Sequence, residues 1–194
     1  MILYFHGFKS SPQSFKARLL EEALSRRGLA AKWHCPQLPV SPAAALDLGR
    51  RMAGELVAEA DPEQLTLVGS SLGGFYATCL AETFGCRAVL LNPVVHAARD
   101  LATQVGTHRH YHTGQKLEFL PEHVRELADA EAAIPALTHM SRYFLIAATG
   151  DEVLDWHDMQ SRYAGAPQTI IQGSDHGLSD FSDHIDAVMA FAQL

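Results

Sequence analysis

Short apolar runs alternate along the chain with longer segments whose apolar residues recur every three to four positions. The short runs are Ile2–Phe5, Ala31–His34, Leu65–Val68, Ala88–Leu91, Tyr143–Ala147 and Thr169–Ile171. Their length and content predict strands. The longer segments are Ser14–Arg27, Ala43–Ala60, Leu72–Phe84, Trp156–Arg162 and Phe181–Ala192. They predict helices, and Ala43–Ala60 carries Arg50, Arg51, Glu55 and Glu59 as an outer polar face. Ser11-Pro12 and Ser41-Pro42 precede two of the helices, where start signals belong. Strand and helix in regular alternation predict βαβ units, hence a parallel sheet of about six strands with helices on both faces.

One stretch breaks the alternation. Between Asn92 and Met140 lie Pro93, Gly106, Gly114, Pro121 and Pro135, several histidines, and a helix-like segment from about Glu122 to Ala133. The length of 194 residues predicts a single domain, 1–194, interrupted by a lid-like insertion at about 93–140. An insertion at this point would stand above the strand ends, as a lid or a pocket wall.

Composition narrows the partners. A net charge of −7 without a dense Lys/Arg tract argues against nucleic acid and against anionic membranes. No apolar stretch approaches the length of a membrane span. The first residues enter a strand directly, so no signal peptide is expected. Cys35, Cys79 and Cys86 are odd in number and lack CxxC spacing, which suggests reduced structural thiols and a cytoplasmic protein.

The chemistry is concentrated in Leu65-Thr-Leu-Val-Gly-Ser-Ser-Leu-Gly-Gly-Phe75, a strand that ends in Gly-x-Ser-x-Gly and passes straight into a helix. That context marks a nucleophile elbow, with Ser71 on a turn too tight for side chains at Gly69 and Gly73. A serine nucleophile needs a base, and the base needs an acid to hold its tautomer. Both follow in order, each just past a strand: Thr149-Gly-Asp151-Glu152 and Gly173-Ser-Asp-His176-Gly177. Asp151 is the expected acid and His176 the expected base. Glu152, Asp155 and Asp175 compete with Asp151, but Asp175 adjoins His176 too closely to reach the far ring nitrogen. The oxyanion donors are expected to be the backbone amides of Leu72 and Phe8, the latter in the His6-Gly7-Phe8 loop after the first strand. The His6 side chain is expected to brace that loop. His108, His110 and His112 alternate and could share one face, but no local carboxylate or cysteine completes a metal set, so they read as a polar lid segment. Tyr111, Leu117, Phe119 and Leu120 are expected to line a pocket over Ser71, with Tyr111, Phe119 and Leu120 as the substrate contacts.

These pieces resemble a small α/β-hydrolase, and more narrowly the YqiA-like family of bacterial esterases. The resemblance rests on Tyr4-Phe-His-Gly-Phe-Lys-Ser-Ser-Pro12, Pro36-Gln-Leu-Pro39, Val68-Gly-Ser-Ser-Leu-Gly-Gly-Phe-Tyr-Ala-Thr78 and Leu91-Asn-Pro93. Tyr111-His-Thr-Gly-Gln115, Thr149-Gly-Asp-Glu-Val-Leu-Asp155 and the Asp175-His176 ending complete it. The family favours asparagine where this chain has Asp175. The resemblance implies a compact α/β-hydrolase fold that begins at the third strand of the usual eight. It also implies an intracellular serine esterase with the triad on Ser71, Asp151 and His176. Short-chain model esters are its implied substrates, with acyl-CoA thioesters as a second class. No metal or organic cofactor is implied, and the expected partner is a small-molecule ester or thioester. Two alternatives stay open on the same residues: an acyltransferase or peptidase, and a hydrolase-like binding protein with a silent triad.

Overall fold

The computed structural model describes residues 1–59 and 61–194. Six parallel strands form one sheet in the order β2-β1-β3-β4-β7-β8. They are β1 (Ile2–Phe5), β2 (Trp33–His34), β3 (Thr66–Ser70), β4 (Arg87–Leu91), β7 (Tyr143–Ala148) and β8 (Gln168–Ile171). The helices are α1 (Phe15–Arg26), α2 (Pro42–Glu59), α3 (Leu72–Phe84), α4 (Ala97–Leu101), α5 (Pro121–Ala132), α6 (Trp156–Arg162) and α7 (Ile185–Phe191). The expected end of the second helix at Ala60 lies outside the described residues.

Side chains that alternate along each strand divide the interior into two layers. Leu3, Phe5, Leu67, Ala88, Leu90, Leu145 and Ala147 face α2, α3, α5 and α6. Ile2, Tyr4, Val68, Val89, Leu91, Ile146 and Ala148 face α1 and α7. This explains why the strands read as unbroken apolar runs: both faces of the sheet are covered.

Three expectations shift. The second strand, expected over Ala31–His34, is shorter: Ala30–Lys32 forms a 3₁₀ turn and only Trp33–His34 pairs, at the sheet edge against Ile2 and Leu3. The last helix begins as a 3₁₀ turn at Phe181–His184 before α7. The insertion contains, besides α4 and the expected helix α5, an unexpected antiparallel ribbon of β5 (Gly106–Arg109) and β6 (Lys116–Phe119). The insertion is tied to the body by Leu127 and Phe119, both fully buried. Glu126 adds a further tie by accepting hydrogen bonds from Ser41 Oγ (2.8 Å) and the Ala43 amide (3.0 Å) at the N-terminus of α2.

The chain crosses from one side of β1 to the other between β2 and β3. Loops after the carboxyl ends of β1 and β3 therefore meet at a switch point, where open parallel sheets present ligand sites.

Candidate active site

The β3–α3 turn is shaped by what glycine leaves out. A Cβ on Gly69 would sit 2.2 Å from the Gly73 carbonyl oxygen, and one on Gly73 would sit 2.0 Å from the Phe5 carbonyl oxygen. Both partners are backbone, so neither can yield. Between them Ser71 takes φ 56°, ψ −123°, a strained conformation for a side-chain residue. The strain is held by a bond from the Ser71 amide to the Leu91 carbonyl (3.0 Å) and bonds from Gly74 (2.9 Å) and Val94 (3.0 Å) to the Ser71 carbonyl.

The two downstream loops bring their polar groups to this turn. His176 Nε2 lies 3.0 Å from Ser71 Oγ, and His176 Nδ1 lies 2.8 Å from Asp151 Oδ2. The Asp151 side chain is wholly buried, and its Oδ1 accepts bonds from the amides of Val153 (2.8 Å) and Leu154 (2.9 Å). Both carboxylate oxygens are thus occupied, which fixes the carboxylate against the imidazole. Its rivals are engaged elsewhere. Asp155 caps α6 through the His157 amide (2.9 Å), and Asp175 Oδ1 accepts from the Ser179 amide (3.0 Å). Glu152 accepts the backbone N–H of His176 (2.9 Å) and so holds the loop rather than the ring.

The loop after β1 approaches from the other side. A Cβ on Gly7 would stand 3.2 Å from Ser71 Cβ, so the Gly7-Phe8 backbone reaches the serine only because residue 7 lacks a side chain. Among the described residues neither the Phe8 amide nor the Leu72 amide donates to another group of the chain. His6, 4% exposed, secures this loop. Its Nδ1–H donates to the Gly7 carbonyl (3.0 Å), while Nε2 accepts from the Leu38 amide (3.1 Å) and the Gln37 side-chain amide (3.3 Å). Burial pulls its pKa down to about 4, so the ring is a neutral brace at ordinary pH.

Asn92 plays a part that no local sequence signal marks. It is fully buried with φ 41°, its Nδ2 donates to the carbonyls of Asp175 (3.0 Å) and His176 (3.2 Å), and its Oδ1 accepts from the Ala148 amide (2.9 Å). One amide therefore stitches the end of β4 to the end of β7 and to the histidine loop. The only trace in sequence was an Asn-Pro pair after a strand. Its partners lie 56 to 84 positions away and could not be read locally.

A cavity of about 770 Å³ opens over Ser71, Leu72, His176, Gly7 and Phe8. Tyr111, 69% exposed, stands at its rim with Phe15 and Val153. Two of the three expected substrate contacts are corrected. Phe119 is fully buried outside this cavity, with its ring 5.1 Å from Phe8 and 5.2 Å from His123. Leu120, at the start of α5, is likewise no part of the cavity wall. In a ribbon the side chains of 117 and 119 share the inward face, and that face meets the core instead of the cavity. The three alternating histidines also part company. His108 bonds the Gln104 carbonyl (2.6 Å) and packs edge-on against Phe8, and His112 bonds Ser11 Oγ (3.0 Å), because the chain turns after Arg109.

Burial pushes the thiols of Cys35, Cys79 and Cys86 up to about 12, and all three are free. Among the described residues no helix is long and apolar enough to cross a membrane.

The architecture has solved counterparts. A protein from Xanthomonas campestris pv. campestris assigned to the α/β hydrolase superfamily is 19% identical, with 99% of this chain and 95% of that one covered and a TM-score of 0.57. A structure from the metagenome-derived lipolytic enzymes LipS and LipT is 18% identical over 99% and 92% of the two chains, with a TM-score of 0.69. The esterase domain of a Rhodothermus marinus protein is 18% identical over 99% and 85%, with a TM-score of 0.68. These likenesses establish the α/β-hydrolase fold. The model of the uncharacterised protein family UPF0227 matches residues 1–193, and the chain belongs to that family, the YqiA-like one its motifs resemble.

Proposed function

We propose that this protein is a serine esterase that hydrolyses small carboxylic esters or acyl thioesters through an acyl-enzyme. One observation carries the reading: the unbroken chain of hydrogen bonds Ser71 Oγ, His176 Nε2, His176 Nδ1, Asp151 Oδ2 at the mouth of a cavity. In the first half-reaction Ser71 Oγ attacks the acyl carbonyl carbon and its proton passes to His176 Nε2. Asp151 offsets the imidazolium charge. The carbonyl oxygen gains the electron pair and takes hydrogen bonds from the Phe8 and Leu72 amides, which have no other acceptor among the described residues. Collapse expels the alcohol or thiol, which leaves with the proton from His176. Water then repeats the sequence on the ester of Ser71. No step requires a metal or an organic cofactor.

The names of the similar structures, which include an esterase domain and lipolytic enzymes, favour the same class. Against a silent binding protein stands the strain at Ser71: a serine held at φ 56° with its Oγ against His176 Nε2 is what an exposed nucleophile requires. The test is hydrolysis of 4-nitrophenyl butyrate and a butanoyl thioester by the wild type and by Ser71→Ala. The wild type should turn over at least one of them and Ser71→Ala neither. Equal rates in both proteins would overturn the reading, and a dominant transacylation product with added amine or alcohol would redirect it to a transferase.

A further inference from the structure

Lys16 sits in the first turn of α1, is only 8% exposed, and lines the same cavity as Ser71 and His176. Its Nζ donates to the Gly177 carbonyl at 2.6 Å, which leaves two of its three protons unused. Among the described residues it has no carboxylate within ion-pair distance. A buried cation is costly, and the positive end of a helix dipole is the worst place for it. Its surroundings deepen the imbalance. Ser14, the N-cap of α1, makes no capping bond, and the amides of the first turn have no acceptor among the described residues. Ser14 Oγ is shielded from solvent and unbonded. So is the hydroxyl of Tyr4, a fully buried residue on the same cavity wall. Four kinds of donor therefore line the cavity with no anion to receive them, the Tyr4 hydroxyl standing close to those of Ser14 and Ser70.

We propose that this end of the cavity is a carboxylate subsite, in which Lys16, the N-terminus of α1 and the Ser14 and Tyr4 hydroxyls bind an acidic group carried by the ester substrate. The proposal rests on the esterase reading above. A carboxylate fits better than a phosphate, since one lysine balances one charge, and a second negative charge would face Asp151 and Asp175. Those two already act on Lys16, whose pKa burial lowers to about 8 while they hold it up. Near neutral pH the ammonium form prevails. The apolar rim of Phe15, Tyr111 and Val153 suits the hydrocarbon part of the same molecule.

The probes are 4-nitrophenyl hydrogen adipate, which ends in a carboxylate, and 4-nitrophenyl hexanoate, which has the same length and ends in a methyl group. The wild type should favour the half-ester in kcat/KM. Lys16→Met should lower the ratio of half-ester to hexanoate by about tenfold or more, the worth of a charged hydrogen bond. If Lys16 only holds the Gly177 loop, both esters suffer together and the unchanged ratio overturns the proposal. If Lys16→Met does not fold, Ser14→Ala, which deletes an unbonded hydroxyl, should still lower the ratio about threefold, and an unchanged ratio there overturns it. Should the wild type cleave neither ester, the esterase reading fails separately. Calorimetry with adipate then decides the subsite: saturable binding weakened about tenfold by Lys16→Met (or, if that variant does not fold, about threefold by Ser14→Ala) supports it, and absent or unaltered binding overturns it.

Discussion

Acid should loosen the fold through His6. The ring is buried, and its Nε2 is the sole acceptor for the Leu38 amide among the described residues and one of three acceptors for the Gln37 side-chain amide. Protonation would strand the Leu38 amide and set a buried cation against both donors. The ordinary histidine value is 6.5 and burial lowers that of His6 to about 4, so between these values the unfolded chain holds a proton that the folded chain refuses. Stability is therefore complete above pH 6.5 and is lost as the pH falls toward 4. At 1.36 kcal/mol per unit the gap is worth about 3 kcal/mol, a large share of a typical domain's stability. The perturbation is His6→Gln, which keeps an amide in place of the ring and cannot titrate. Urea unfolding of both proteins at pH 7, 6, 5 and 4 gives two stability curves. Groups common to both cancel in the difference. The wild type should lose about 3 kcal/mol more than the variant across that range. Parallel curves would refute the claim that His6 is a neutral buried brace.

Other outcomes follow from the same geometry. Asp151→Asn should cut kcat by about 10⁴-fold with little change in melting temperature, while Asp175→Asn should matter far less; the reverse order in steady-state kinetics would move the acid to Asp175. Phe119→Ala should cost about 3–5 kcal/mol in urea unfolding and lower kcat/KM evenly for esters of two to twelve carbons, because Phe119 backs Phe8 from the core; a shift in chain preference at full stability would restore it to the pocket. Asn92→Ala leaves the Ala148 amide and the histidine-loop carbonyls unmatched, so it should cost about 1–3 kcal/mol in stability and should slow turnover more than any change in KM; full kcat in a folded variant would deny it a positioning role.

The parts of the molecule that were legible in the sequence are those whose cause is local. Gly69, Ser71 and Gly73 lie within five residues, and their steric conflict is with backbone that any such turn would bring near. The four central strands are buried on both faces, so their apolar runs could hardly be misread. The edge strand β2 is shorter than its apolar run because it pairs on one side only and Ala30–Lys32 turns instead. The ribbon escaped notice because Gly106–Arg109 is nearly all exposed and carries no alternation of apolar residues. The expected pocket residues failed for a related reason. Apolar content in an insertion says that something is covered, and Phe119 covers the core beneath Phe8. Lys16 and Asn92 take their meaning from Gly177 and His176, partners 161 and 84 positions away, which no local pattern announces.

The central claim is that Ser71 is an activated nucleophile. Incubation of the intact protein with a fluorophosphonate, followed by peptide mass spectrometry, tests it without any assumption about substrate. The account predicts one adduct per chain, on Ser71, absent from Ser71→Ala and strongly slowed in folded His176→Ala. A label on Ser70 instead, or no label on a folded protein, would contradict it.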